Sequence, residues 1–139
     1  MTTFQAQRRV EFVDTDAAGI AHFSAFLIYM EQTEHEFLRS LGLSVVDRDA
    51  EGPYSWPRVS VACDFHGAVR FEDLLDIELS ITRLGDKSVS YAFDFRHAGR
   101  LVATGRLTAV CCRIVDGQIA SIPIPATVRA KLEPWWSGA

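Results

Sequence analysis

Three cysteines in 139 residues, two of them adjacent at Cys111 and Cys112, make an odd set with no metal-ligand spacing. Neighbouring strand residues point to opposite faces, so a disulfide framework and a zinc site are both excluded, and buried, inert thiols are expected. Clustered positive charge is also missing. Lys and Arg number 14 against 18 Asp and Glu, for a net charge of -4, which excludes a nucleic-acid binder that works by neutralising phosphates. No apolar run approaches the roughly 20 residues of a membrane span, and the opening MTTFQAQRRVEF lacks the apolar core of a signal peptide. The expectation is a cytoplasmic protein without membrane contact. There is no glycine-rich phosphate loop and no serine on a glycine elbow with His and Asp partners, so nucleotide-binding and serine-hydrolase readings fall away.

What remains is a chain 48% apolar and 23% charged, long enough for one domain with a real core. No linker or repeat divides it, and residues 1–139 read as a single domain. Phe23, Phe26, Leu27, Met30, Phe37, Leu38 and Leu41 recur at spacings of three and four, the pattern of one amphipathic helix. Ser24 is the expected N-cap and Gly42 the stop. From Trp56 the period becomes two. Val59, Val61, Cys63 and Phe65 form one alternating set; Leu75 to Ile81 and Val89 to Phe95 form two more, and Leu101 to Ile114 a long fourth strand. Each reads as covered on one face. With a strand at 4–12 and the short turns LGDKS, HAGR and VDGQ, antiparallel pairing follows. The tail PATVRAKLEPWW allows a short helix stopped near Pro134. The fold class is α+β: an antiparallel sheet curled around one long helix.

The stretch EFVDTDAAGIAHFSAF places Asp14, Asp16, Gly19 and His22 directly before that helix. Acids at a helix entrance cap unpaired N–H groups and meet the positive end of the dipole, so a capping role is open for either. Chemistry is open too. Two acids two residues apart diverge in extended backbone, so only one faces the helix mouth and a paired-carboxylate mechanism is disfavoured. Gly19 permits a tight turn, and the N–H groups from Ile20 to Phe23 are expected as free donors able to polarise a carbonyl. His22 reads as either a base or a packing residue.

Taken with CDFHGAVRFEDLLDIELSITRLGDKS, the stretch VEFVDTDAAGIAHFSAFLIYMEQ resembles the hotdog-fold acyl-CoA thioesterases of the 4-hydroxybenzoyl-CoA thioesterase type, over nearly the whole chain. The shared pattern is an acid, any residue, Asp, two residues, Gly, two apolar residues and an aromatic position leading into the long helix. The resemblance implies that Asp16 is the catalytic carboxylate, acting as nucleophile or general base. It also implies that the backbone N–H of Phe23 polarises the thioester carbonyl, with Gly19 and His22 shaping the site. His22 stands where relatives carry Tyr or Trp. Lys87 and Ser88 correspond to the turn at the nucleotide end of CoA, although Gly85 and Asp86 occupy positions where relatives carry arginines; Arg70 is a further candidate for that end. The substrate so implied is an acyl-CoA, bound across a homodimer or homotetramer, without metal or other cofactor. An aromatic substrate such as 1,4-dihydroxy-2-naphthoyl-CoA is one alternative. A non-catalytic acyl-CoA binder is another, and acyl-thioester dehydration, using His22 with Glu31 or Glu34, is a third.

Overall fold

In the computed structural model, which describes residues 2–138, the chain runs β1 (Phe4–Arg9), a 3-10 turn (Phe12–Asp14), α1 (Phe23–Ser40), β2 (Val46–Asp49), β3 (Gly52–Ser55) and β4 (Arg58–Phe65). It continues through β5 (Leu74–Leu84), β6 (Ser88–His97), β7 (Arg100–Val110), β8 (Cys112–Val115), β9 (Gln118–Ser121), α2 (Ala126–Leu132) and a last 3-10 turn (Glu133–Trp135). The main sheet is five-stranded and antiparallel, in the order β1-β5-β6-β7-β4. Its concave face is built by alternation. Leu75, Ile77, Leu79 and Ile81 on β5, and Val89, Tyr91, Phe93 and Phe95 on β6, are all buried against Phe26, Met30 and Phe37 of α1. Each such side chain contributes roughly 1.5–3 kcal/mol by leaving water.

Gly105 sits at the centre of that face, opposite Phe93, and a Cβ there would lie 2.3 Å from the Met30 sulfur. Its missing side chain lets α1 settle onto the sheet. Bulges near Ile81, Phe95 and Arg58 bend the strands around the helix. The curled sheet around one long helix is what the alternating pattern implies, and it is the hotdog architecture that the resemblance implies. Among the described residues, no helix is long and apolar enough to cross a membrane.

Several boundaries differ from the sequence reading. β1 ends at Arg9, not at residue 12, because residues 12–14 wind into the 3-10 turn. α1 begins one residue before the expected cap. His22, not Ser24, is the N-cap, since its Nδ1 accepts the Ser24 N–H at 3.2 Å, as a cap oxygen would. The expected fourth strand breaks at Cys111, whose N–H donates to the Lys87 carbonyl while its own carbonyl accepts from Ile122. Beyond it the chain enters a second small sheet, β2-β3-β8-β9, which alternation in such short segments did not reveal. Cys111 and Cys112 are buried and Cys63 is half-buried; burial pushes the Cys63 and Cys111 thiols up to about 11.

β4 departs most. Val59, Val61 and Phe65 are 63%, 48% and 49% exposed, although alternation marked them as a covered face. β4 is an edge strand paired only with β7, and within the protomer that side is covered only in part: Phe65 meets the Phe26 ring of α1 at 5.3 Å, while Val59 and Val61 stay open.

Candidate active site

The loop between β1 and α1 folds back on itself as a small hairpin. Thr15 pairs with Ala21, the Asp16 N–H donates to the Ile20 carbonyl at 2.9 Å, and the Gly19 N–H donates to the Asp16 carbonyl at 2.9 Å. Gly19 closes the turn at φ +79°, a conformation that a Cβ would strain. The Ala21 N–H donates to the Val69 carbonyl at 2.8 Å, which ties this hairpin to the loop that enters β5.

The two acids take different roles. Asp14 Oδ2 accepts from the Tyr29 hydroxyl at 2.8 Å and from the Glu11 N–H at 2.9 Å. That oxygen ties it to the body of α1 and to the start of the 3-10 turn. Asp16, half-buried, accepts only the Ala18 N–H on Oδ1, at 2.9 Å, which leaves Oδ2 without a partner among the described residues. The two side chains thus take different partners, and Asp16 is the carboxylate that no side chain of the helix body holds.

Of the N–H groups expected to be free before the helix, Ala21 and His22 are not: the second donates to the Asp14 carbonyl at 2.7 Å. The first is taken by the Val69 carbonyl of the loop before β5 and the second by the hairpin pairing. The Phe23 N–H has no acceptor among the described residues, and it lies at the positive end of an 18-residue helix. His22 Nδ1 also lies 2.8 Å from the Ser24 hydroxyl. Because Nδ1 accepts from the backbone, the neutral ring carries its proton on Nε2. The ring stacks on Phe23 with centroids 4.4 Å apart.

Arg70 lies against the hairpin, with its guanidinium 3.5 Å from the Gly19 carbonyl. The fold thus gathers Asp16, Gly19, His22, Phe23 and Arg70 at one end of the sheet. Lys87 and Ser88 lie at the other, beyond the far end of β5, whose 11 residues place them about 33 Å along the strand. That turn is held by the Gly85 N–H donating to the Ser88 carbonyl at 2.8 Å, and by Arg129 of α2 donating to the Gly85 carbonyl. Within one protomer the two groups do not meet.

Glu34 does not join His22. Twelve residues separate them on α1, roughly 18 Å at the helical rise, and Glu34 is buried in an ion pair with Arg58 at the start of β4. Glu31 is exposed on the helix surface. The acid-and-histidine arrangement that dehydration requires is therefore not assembled in the protomer. Sequence reasoning did not find the Asp14–Tyr29 contact. The available signal was a tyrosine within the apolar stripe between Phe26 and Met30, since a buried phenol calls for a partner. Burial, and then the Asp14 hydrogen bond, hold the Tyr29 hydroxyl well above its ordinary range, so it stays a donor.

A family model described as the thioesterase-like superfamily matches residues 10–132. The 1,4-dihydroxy-2-naphthoyl-CoA hydrolase of Synechocystis sp. is 28% identical over 127 residues, spanning 90% of this chain and 92% of that one. The hydrolase of the same name from Prochlorococcus marinus is 32% identical over 104 residues, covering 70% and 67%. The solved structure of a gentisyl-coenzyme A thioesterase superposes with a TM-score of 0.81 at 32% identity, covering 93% of this chain and 99% of the other. By the match over most of its length and by its fold, the chain belongs to the thioesterase-like superfamily and is a hotdog-fold thioester hydrolase.

Proposed function

We propose that this enzyme hydrolyses an acyl-CoA to the free acid and CoA, with Asp16 as nucleophile or general base and the Phe23 N–H polarising the thioester carbonyl. One observation carries the reading: a carboxylate with a free oxygen lies on a short hairpin that leads straight into α1, whose first residue carries an unpaired N–H. Attack on the carbonyl builds negative charge on its oxygen. A backbone donor aimed there, backed by the helix dipole, lowers the barrier by roughly 3 kcal/mol. Asp16 either attacks the carbonyl carbon, expelling the CoA thiolate and leaving an anhydride for water to open, or takes a proton from an attacking water.

The substrate site is proposed to lie between two copies of the chain. β4 runs from the Lys87 end of the sheet, where the Val110 N–H donates to the Pro57 carbonyl, to the Asp16 end, where the His66 N–H donates to the Val102 carbonyl. Pairing β4 antiparallel with its own copy about a two-fold axis would cover Val59, Val61 and Phe65. The same operation carries the partner's Lys87 turn to the end that holds Asp16. Lys87 and Ser88 then reach the nucleotide portion of CoA from the partner, and Arg70 reaches it from the catalytic chain.

Aromatic acyl groups are the second reading. They are favoured by the His22–Phe23 stack, whose Phe23 ring is 63% exposed, and by the substrates named for the gentisyl-coenzyme A and 1,4-dihydroxy-2-naphthoyl-CoA enzymes. A thiol-release assay over short, medium, long and hydroxylated aromatic acyl-CoAs tests both readings. Stoichiometric free thiol and acid are expected. Binding of every acyl-CoA without turnover would make the protein a carrier, and an enoyl product would make it a dehydratase.

A further inference from the structure

Asp14 receives three hydrogen bonds: the Tyr29 hydroxyl at 2.8 Å and the Glu11 N–H at 2.9 Å on Oδ2, and the His22 N–H at 2.7 Å on its carbonyl. These partners come from different places. Glu11 precedes the hairpin, His22 caps α1, and Tyr29 is buried within α1, six residues beyond Phe23. Asp14 itself stands two residues before Asp16. The contact therefore joins the segment that carries the reacting carboxylate to the helix that presents the Phe23 N–H.

We infer that Tyr29 and Asp14 act as a positioning clamp, setting the placement of Asp16 relative to the Phe23 N–H; the inference rests on the reading of Asp16 as the reacting group. The hairpin needs such a clamp. Inside it, Asp16 is restrained only by its Ala18 contact, the Ile20 and Gly19 backbone bonds and the Thr15–Ala21 bridge. These move with the hairpin as a unit, and its outside ties, the Ala21 N–H to the Val69 carbonyl at 2.8 Å and the Arg70 guanidinium 3.5 Å from the Gly19 carbonyl, come from the loop before β5 and not from α1. Tyr29 is the side chain of the helix body that grips the hairpin's entry strand. Because burial keeps its hydroxyl protonated, the grip does not slacken across the working pH range.

Loss of the clamp is expected to cost activity more than stability. Asp14 and Tyr29 line one wall of an open hollow of about 590 Å³ between β1 and α1, with Arg8, His35 and Arg39 on its other sides. Water in that hollow can replace the phenol as donor to Asp14, which preserves the hydrogen bond but not the geometry. A displacement of about 1 Å in a reacting pair lowers rates by up to roughly a hundredfold.

The experiment compares kcat, KM and melting temperature for Tyr29→Phe, Asp14→Ala and Asp14→Asn, each alone, with Tyr29→Phe also made in an Asp16→Asn background. Tyr29→Phe and Asp14→Ala should lower kcat roughly ten- to a hundredfold, with KM changed less than about threefold. The double variant, made as well, should cost no more than the worse one alone, since Asp14→Ala already removes the contact that Tyr29→Phe removes. Asp14→Asn keeps an acceptor oxygen and should recover at least fivefold over Asp14→Ala. In the Asp16→Asn background, Tyr29→Phe should change the residual rate by less than twofold. A purely structural role predicts the opposite: equal losses with and without the Asp16 carboxylate, tracking the melting temperature. That result, or a Tyr29→Phe enzyme within twofold of the parent, would overturn the clamp while leaving the site assignment standing. An active Asp16→Asn enzyme would overturn both.

Discussion

Glu34 is a carboxylate placed where water cannot reach it. It lies on the inner face of α1, 1% exposed, with the Arg58 guanidinium on Oε1, the His35 ring 3.8 Å away and the Glu31 carboxylate acting on it, while its own charge bears on the buried Tyr91 phenol. Desolvation outweighs the attraction of Arg58 and pushes the acid up from 4.5 to about 7. A raised acid holds its proton more tightly in the folded state. Its contribution to stability is full below about 4.5 and is lost as pH rises towards 7. That interval, at roughly 1.4 kcal/mol per pH unit, sets a ceiling of about 3.5 kcal/mol on the loss. Glu34→Gln removes the titration and keeps the shape. Urea unfolding of both proteins at pH 5, 6, 7 and 8, at one fixed protomer concentration because the proposed dimerisation would shift apparent stability, should show the variant gaining on the parent as pH rises to 7, with little further change above 8. A difference that stays flat with pH would show that Arg58 neutralises the burial penalty, and the reasoning would be wrong.

Gly105→Ala drives a methyl into Met30, whose sulfur lies 2.3 Å from the added carbon, and should destabilise the protein by about 1–3 kcal/mol in thermal or urea unfolding, the usual cost of overpacking. Val61→Lys puts a charge on the exposed edge of β4; light scattering should show the parent as the proposed dimer and the variant as a monomer with a lower thiol-release rate, whereas an active monomer of 15.5 kDa would refute the shared site. Lys87→Ala should raise KM more than it lowers kcat, and the effect should shrink in high salt, because an exposed charge pair is screened. Unchanged KM at low salt would place the nucleotide end of CoA elsewhere.

The long helix was legible because Phe26, Met30 and Phe37 repeat with its period, and the core strands because Leu75 to Ile81 and Val89 to Phe95 alternate without interruption. Short strands carry too little pattern. Nothing in VVDRD or GPYS distinguishes β2 and β3 from loop, and their pairing with β8 depends on where the chain turns at Cys111. The cap on α1 escaped because a histidine nitrogen did the work normally assigned to a serine oxygen. At the site, the spacing of Asp14 and Asp16 predicted that they would part, yet not which one the helix body would hold. That depended on Tyr29, 15 residues away, reaching Asp14. Likewise the alternation in β4 identified an apolar face, while what covers it is a question of assembly that local sequence does not encode.

The central claim rests on Asp16. Asp16→Asn keeps the size of the side chain and an oxygen for the Ala18 N–H, and asparagine accepts from backbone N–H groups about as well as aspartate. Fold and acyl-CoA affinity should therefore survive. An amide is a poor nucleophile and a poor base, so kcat for the best acyl-CoA should fall by roughly 10² to 10⁴-fold. The decisive measurement is single-turnover thiol release by Asp16→Asn beside the parent, with melting temperature and acyl-CoA affinity recorded on the same samples. The account predicts a loss of at least about a hundredfold in rate with melting temperature and affinity close to the parent; a near-parental rate would contradict it and leave Asp16 as a turn-forming residue only.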